Sequence, residues 1–276
     1  MPIVTLTSDF GEDDYLAGAV KGVLYKSVPD VQLVDITHRL LPFNDHKAAH
    51  VIRNAVMHYP PGTFHVVLVN LFQYLPSHLL LIKHKGQYFL LADNGLIMMI
   101  LEEPPEQVVA LPLPMNEHVQ RNVIHIVDVF SSAIRELVTG KTIMEAGVQI
   151  DTIKGRNVLK PVMTDQYIDG QILYIDAFEN VVINISRPLF EEQRKGRGFK
   201  IIFKRDEYID RISETYADVP PGDKLALFNA SGYLEIAVNR GNAAGLFGLQ
   251  GFTEGSNSKY AQARISYQSV RILFDS

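Results

Sequence analysis

The hydrophobic pattern of this chain changes its period near residue 160, and that change limits which folds the chain can adopt. Before it, apolar strand-like runs alternate with stretches whose apolar residues recur at helical spacing. After it, short segments of alternating polar and apolar residues follow one another, separated by Gly, Pro and Asn. Strands that alternate with helices predict a sheet covered by helices, whereas the later pattern predicts an antiparallel sheet. We therefore expect two domains of different class.

The first domain is predicted over residues 1–160 as an α/β domain, with a mixed, largely parallel sheet and flanking helices. Its clearest predicted elements are strands at residues 2–8, 31–36 and 63–69 and helices at residues 47–58 and 128–140. Asn44 or Asp45 is the expected N-cap of the earlier helix. Residues 161–276 are predicted to form a smaller antiparallel all-β domain, a barrel or a sandwich.

Composition excludes several kinds of chemistry and partner. The 276 residues include no cysteine, so thiolate metal sites and cysteine nucleophiles are impossible. A formal net charge of -5 argues against a nucleic-acid partner, because phosphate backbones require a basic surface. No apolar run approaches the roughly twenty residues that a membrane helix needs. We expect a cytoplasmic protein with no membrane partner.

Metal and phosphate signatures are weak. His46 and His50 have the spacing of metal ligands on a helix, but no third ligand accompanies them, so they are interpreted as a helix-surface pair and no metal site is predicted. The first strand is followed by neither a P-loop nor a Gly-x-Gly-x-x-Gly turn. The sequence therefore predicts no bound cofactor.

Two distant segments each look like half of a nucleoside pocket. Asp9 follows the first strand directly, where an open α/β sheet places its ligands. Near the other end of the chain, Asn242, Ala243 and Ala244 are small enough for backbone to approach a flat ring. Together these segments predict a bound nucleoside.

Several segments, in order along nearly the whole chain, resemble one known family. They are Thr7-Ser8-Asp9-Phe10-Gly11, Asp13 to Val23, Val34 to His38, Tyr59 to Val66, Asp93 to Leu96, Asp176 to Ile185 and Leu234 to Ala244. As a set they are similar to the S-adenosylmethionine hydroxide adenosyltransferase family, which is related to the fluorinase and chlorinase. The resemblance implies an α/β N-terminal domain, a β C-terminal domain and a homotrimer. It also implies that S-adenosylmethionine is a substrate displaced at ribose C5′, by water to give adenosine and methionine or by halide.

The resemblance assigns binding roles to three polar residues. Asp9 would grip the ribose hydroxyls through charge-assisted hydrogen bonds. Asp176 and Asn180 would hold the ammonium and carboxylate of the methionine part. The family's usual glycine before this asparagine is Glu179 here, which adds a negative charge beside the ligand.

Further binding roles have plain structural alternatives. The resemblance implies an adenine and carboxylate shelf at Asn229, Ser231, Asn242 and Ala243. For Asn229 an ordinary β-turn explains the sequence equally well. Phe10 and Phe178 either face the ligand or belong to the core.

The segment that handles the nucleophile departs from the family pattern. In hydrolytic members an aspartate, an arginine and a histidine position and activate water, and the corresponding residues here are Asn70, Ser77 and His125. An asparagine amide cannot accept a proton near neutral pH, and serine supplies no fixed positive charge. Two of the three water-handling roles are therefore changed.

Three functions remain open from the sequence. In the first, hydrolysis continues with His125 as the base, at a rate lowered on the order of a hundredfold or more. In the second, a halide that needs no base is the nucleophile, although the bulky segment Leu71–Leu75 would fill the site. In the third, the protein is a non-catalytic trimer that binds adenosine or S-adenosylmethionine.

Overall fold

The computed structural model describes residues 1–72, 78–113, 122–156, 159–204, 207–248 and 269–275. The chain divides into two compact units, Met1–Val158 (unit 1) and Leu159–Ser276 (unit 2). Each unit encloses buried hydrophobic clusters of its own. Within the described ranges, no helix combines the length and the apolarity needed to cross a membrane.

Unit 1 contains a mixed seven-stranded sheet with helices. Its elements are β1 Ile3–Ser8, α1 Leu16–Ser27, β2 Gln32–Thr37, α2 Asp45–Val56, β3 Phe64–Leu68, β4 His78–His84, β5 Gln87–Ala92, α3 Leu96–Leu101, β6 Gln107–Pro112, α4 Val123–Val138, α5 Ile143–Ala146 and β7 Val148–Gln149. The strand order is β2-β1-β3-β5-β4-β6-β7. The predicted mixed sheet is therefore present.

Only half of this sheet is parallel, so the prediction of a largely parallel sheet was too strong. The pairs β1/β2, β1/β3 and β3/β5 are parallel, and the pairs β4/β5, β4/β6 and β6/β7 are antiparallel. The cause is a two-residue hairpin, because Lys85 and Gly86 both adopt positive φ angles of 48° and 75°. Such a turn returns the chain directly alongside β4.

The central strand β3 is covered on both faces, as its continuous apolar run predicts. Phe64, Val66 and Leu68 belong to the cluster that contains α1 and α4 side chains. Val67, between them in sequence, belongs to the cluster that contains α2 and α3 side chains. All four side chains are at most 4% exposed, so the ends of β3 are held rigidly by packing.

Two helix starts depend on asparagine caps. Asn44 caps α2, since its side chain accepts a hydrogen bond from Lys47 N. Asn122 caps α4 in the same way by accepting from His125 N at 3.0 Å. The prediction that α4 begins near Asp128 was wrong, because the Asn122 cap starts the helix one turn and more before that acid.

Unit 2 contains an antiparallel sheet of eight strands. Its elements are β8 Val162–Met163, β9 Tyr167–Ile175, β10 Val181–Ser186, α6 Arg187–Arg194, β11 Phe199–Lys204, β12 Glu207–Ile209, β13 Lys224–Phe228, β14 Tyr233–Val238 and β15 Ser269–Phe274, with 3₁₀ turns at Tyr216–Asp218 and Ala244–Phe247. The order is β12-β11-β15-β9-β10-β14-β13, with β8 beside β9. The predicted antiparallel sheet is present, but unit 2 is not all-β. Helix α6 follows the Ser186 cap and buries Phe190 completely.

Candidate functional site

The carboxyl ends of β1 and β3 lie side by side, because these strands pair in parallel with Ser8 opposite Leu68. The residues that follow them, Asp9 and Asn70, are therefore neighbours. Asn70 N donates a hydrogen bond to Asp9 Oδ2 at 2.9 Å. Burial raises the pKa of the Asp9 carboxyl, and the Asn70 N–H opposes that rise. Asp9 lies where an open α/β sheet places its ligands.

Asn70 is held on every side by hydrogen bonds. Its Oδ1 accepts from Phe43 N at 3.0 Å and its Nδ2 donates to Asp45 Oδ1 at 2.7 Å. Asn94 Nδ2 donates to the Asn70 carbonyl at 3.3 Å. The Asn70 backbone has a φ of 49°, in the left-handed region that asparagine tolerates better than most residues. Asn70, which stands where the resembled family has its water-activating aspartate, is thus a fixed structural centre of this sheet edge.

Phe10 packs beside Asp9 rather than standing free. Its ring stacks on His38, with the centroids 5.6 Å apart, and it contacts the unit 1 core. His38 is itself fixed, since its Nδ1 lies 2.7 Å from Ser8 Oγ and its Nε2 lies 3.2 Å from Asp35 Oδ1. Phe10 therefore supports the loop that presents Asp9.

His125 and Ser77 are the other two predicted water-handling residues. His125 lies in the first turn of α4, and its buried Nε2 has no hydrogen-bond partner among the described residues. It makes no hydrogen bond to Asp9 or Asn70 within that part of the chain. Ser77 lies outside the described residues. Leu71 packs into the unit 1 core, whereas Phe72 is 47% exposed.

In unit 2, Asp176 organises the turn between β9 and β10. Its Oδ1 accepts from Phe178 N at 2.9 Å and from Asn180 N at 2.8 Å, and its Oδ2 accepts from Asn180 Nδ2 at 3.1 Å. Asn180 is buried, whereas Phe178 is 78% exposed and so lies outside the core of unit 2. The turn brings Asp176 and Asn180 together, as the predicted ligand clamp requires.

The same turn contacts the loop that contains Asn242. Glu179 has a φ of 61°, a backbone conformation that suits the glycine usual in the resembled family. Its carbonyl accepts from Ala244 N at 2.9 Å. Asn242 Oδ1 accepts from Gly245 N at 2.7 Å, and the Ala243 side chain is completely buried. Ala243 can therefore offer a ligand only its backbone.

Asn229 forms a turn between β13 and β14. Its Oδ1 accepts from Ser231 N at 3.0 Å and from Tyr233 N at 3.3 Å. Its Nδ2 donates to Glu235 Oε2 at 3.2 Å. The β-turn predicted as the alternative for Asn229 describes this local geometry, and the amide orients Glu235.

Glu235 is a residue that sequence reasoning missed. It is only 3% exposed in the middle of β14, and Tyr216 Oη donates to its Oε1 at 2.7 Å. Burial raises the pKa of the Glu235 carboxyl; Tyr216 and Asn229 oppose this, and the charge of Asp176 adds to it. The available signal was a glutamate within an otherwise apolar strand.

We call Asp176, Asn180, Glu235, Tyr174 and Tyr216 the acidic cluster. Burial, together with Glu235 and then Asp176, raises the pKa of Tyr174 to about 12. Two neighbouring carboxylates and two neutral phenols favour a cationic ligand group. Within the described residues, no three His, Asp or Glu side chains are arranged to hold a metal ion.

Both units of the chain match domains of one protein family. Residues 4–147 match the model of the SAM hydroxide adenosyltransferase N-terminal domain, and residues 170–254 match the model of its C-terminal domain. The chain belongs to the SAM hydroxide adenosyltransferase family.

Several relatives are similar over most of their length. The (R)-S-adenosyl-L-methionine hydrolases of Thermus thermophilus and Methanocaldococcus jannaschii are 27% and 24% identical, and the alignments cover 90% of this chain and 96% and 93% of theirs. The fluorinase of Nocardia brasiliensis is 23% identical, with 90% and 94% covered. A crystal structure of an uncharacterized conserved protein from Thermotoga maritima shares the fold, with a TM-score of 0.75 at 23% identity, covering 99% of this chain and all of that one.

Proposed function

We propose that this protein hydrolyses S-adenosylmethionine to adenosine and L-methionine. Membership of the family and the similarity to curated S-adenosylmethionine hydrolases support the reaction class. The observation that most supports a nucleoside site in this chain is Asp9, a partly buried carboxylate whose Oδ2 is hydrogen-bonded to Asn70 at the carboxyl ends of parallel strands. The carboxylate oxygens of Asp9 can accept further hydrogen bonds, and this suits the paired hydroxyls of a ribose.

The reaction asks little of the protein beyond positioning. The oxygen of water forms a bond to C5′ while the C5′–S bond breaks. The electron pair of the breaking bond goes to sulfur. Because the leaving group is a neutral thioether, it needs no general acid. The proton of the attacking water goes to His125, whose buried Nε2 has no partner among the described residues. In-line alignment in a site shielded from solvent supplies the rest.

The acidic cluster has a matching role at the methionine end. An ammonium group would offset the two carboxylates of Asp176 and Glu235, which are otherwise close to each other in a buried setting. We assign the methionine ammonium to this cluster. The protein would act on the substrate as a homotrimer, a state that light scattering of the purified protein can measure.

Halide transfer is a second candidate. It is favoured by Asn70, because that amide cannot act as a base and a halide needs none. Replacing water by chloride would give a 5′-chlorinated nucleoside and methionine.

Product analysis distinguishes these functions. Purified protein is incubated with S-adenosylmethionine, with and without chloride, and products are separated by liquid chromatography. Adenosine in both samples supports hydrolysis, and a chlorinated nucleoside only with chloride supports halide transfer. Calorimetric titration with adenosine and S-adenosylmethionine completes the test. Binding heat without product indicates a non-catalytic binding protein. If there is no binding heat and no product, all three functions are excluded.

A further inference from the structure

Asp45 connects the altered nucleophile position to a positive charge. It is the first residue of α2, and its Oδ1 accepts the hydrogen bond from Asn70 Nδ2 at 2.7 Å. Its Oδ2 forms an ion pair with Arg156. Both side chains are largely shielded from solvent, with 22% of the Arg156 side chain and 13% of the Asp45 side chain exposed. Asn70 thus has a carboxylate beside it and a guanidinium behind that carboxylate.

Arg156 reaches Asp45 because the chain after β7 is anchored at the turn before α3. Lys154 N donates to Asp93 Oδ1 at 2.9 Å in that turn. The aliphatic part of Arg156 then crosses Gly95, where an added Cβ would lie 2.5 Å from Arg156 Cγ. Gly95 also has a φ of 88°. Glycine is therefore required at this position both for its backbone conformation and for the passage of Arg156.

The hydrogen bonds allow the Asn70 amide only one orientation. Phe43 N–H needs an oxygen acceptor and the Asp45 carboxylate needs a nitrogen donor, so exchanging Oδ1 and Nδ2 would lose both bonds. After these bonds, Oδ1 keeps one lone pair and Nδ2 keeps one hydrogen. The side chain is fixed in direction and still able to hold one more polar group.

We propose that Asp45, held by Arg156, is a positioning residue that orients the Asn70 amide toward the attacking water. This inference rests on the proposed hydrolysis. Asn70 Oδ1 accepts a hydrogen bond from one O–H of the water and so fixes its oxygen; that hydrogen remains on the 5′-hydroxyl of adenosine, and the other proton of the water goes to His125. A carboxylate and a guanidinium thus still act at this site, although position 70 itself is an amide.

Steady-state kinetics of Asp45→Ala test the inference. We expect kcat for S-adenosylmethionine hydrolysis to fall about tenfold, the usual worth of one charge-assisted hydrogen bond. KM and the Kd for adenosine should stay within about twofold, because Asp45 does not contact the ligand. Asp45→Asn keeps an acceptor oxygen for Asn70 Nδ2 and should recover part of kcat. As a matched control, Asp169→Asn breaks the exposed pair with Arg271 in unit 2 and should leave kcat unchanged.

A double-mutant cycle with Asn70→Ala separates positioning from a general structural role. If Asp45 acts through Asn70, adding Asp45→Ala to Asn70→Ala lowers kcat no further. If the two losses multiply, the inference is overturned while the proposed function stands. Should Asp45→Ala fail to fold, Asp45→Asn replaces it in the same cycle. A wild-type protein that forms no adenosine from S-adenosylmethionine, whether or not it binds adenosine, overturns the proposed function, and this inference with it.

Discussion

Asn70 in unit 1 and Glu179 in unit 2 both have left-handed backbone conformations at places where the chain departs from the resembled family, yet they are held differently. Asn70 is fixed by backbone bonds and, in addition, by its own side chain, which bonds to Phe43 and Asp45. Glu179 is fixed through its backbone, which bonds to Asp176 and Ala244. The Asn70 region of unit 1 therefore depends on a side-chain network, whereas the turn of unit 2 that contains Glu179 depends on backbone bonds and accepts a new side chain.

Acid should affect the contributions of two buried histidines in unit 1 and of the buried Glu235 in unit 2 in opposite directions. Burial lowers the pKa of His50 and of His65 in unit 1 to about 4, from an ordinary 6.5. Both histidines stay neutral in the folded protein while the unfolded chain binds protons. Stability is therefore complete above pH 6.5 and falls as the pH drops toward 4, by about 3 kcal/mol for each histidine. Glu235 contributes the opposite slope: its raised pKa means that the folded protein binds this proton more tightly than the unfolded chain, and the resulting stabilisation is lost as the pH rises.

Urea unfolding at pH 7.5 and pH 4.5 measures this loss. His65→Gln should reduce the difference between the two pH values, because it removes one of the two linked protons. An equal difference in the variant and the wild type would contradict the assignment of buried neutral histidines.

His50, predicted as part of a helix-surface pair, is in fact 5% exposed.

Removing the Asp9 carboxylate should strongly weaken nucleoside binding. We expect Asp9→Ala to weaken adenosine binding by about a hundredfold, because two charge-assisted hydrogen bonds to the ribose are lost. Calorimetric titration measures the change, and Asp9→Asn should retain part of the affinity. If the affinity of Asp9→Ala matches that of the wild type, Asp9 does not bind the ribose.

Restoring the family residues at the nucleophile position tests the side-chain network. Asn70→Asp combined with Ser77→Arg should raise hydrolysis about tenfold if the pocket is otherwise intact. The new carboxylate at position 70 would lie beside Asp45. Like-charge repulsion from Asp45 would raise the pKa of the new carboxyl group. Asp45→Asn added to the pair removes this repulsion and keeps the new side chain ionised, as a base must be, so the rate should rise further. Unchanged product formation in all these variants would show that the slot is blocked or rearranged.

Glycine substitutions at the two left-handed residues should have opposite signs. Glu179→Gly removes backbone strain and should stabilise the protein by about 0.5–1 kcal/mol. Asn70→Gly removes two side-chain hydrogen bonds and should destabilise it by about 1–2 kcal/mol. Denaturant midpoints of the two variants measure both changes. Stabilisation by both substitutions would remove the distinction drawn between the two regions.

Sequence alone predicted the features that depend on local pattern. The continuous apolar run of β3 predicted a strand covered on both faces, and Asn44 was identified as a possible cap from its place before a helical pattern. The position of Asp9 directly after β1 predicted its place at the carboxyl ends of the parallel strands. These features follow from residue spacing and from the end of a strand or helix, and both are visible in a linear chain.

The tertiary structure decided which polar groups meet. Asn70 and Asp45 are 25 positions apart, and Asn70 and Asp9 are 61 apart. Glu235 is 19 positions from Tyr216, and it accepts a hydrogen bond from the Tyr216 hydroxyl. Hydrogen bonds between such residues depend on strand register and on the packing of α2 against the sheet, and no local pattern encodes either. For this reason the sequence identified Asn70 only as a lost base, and its role as the fixed centre of a network required the folded chain.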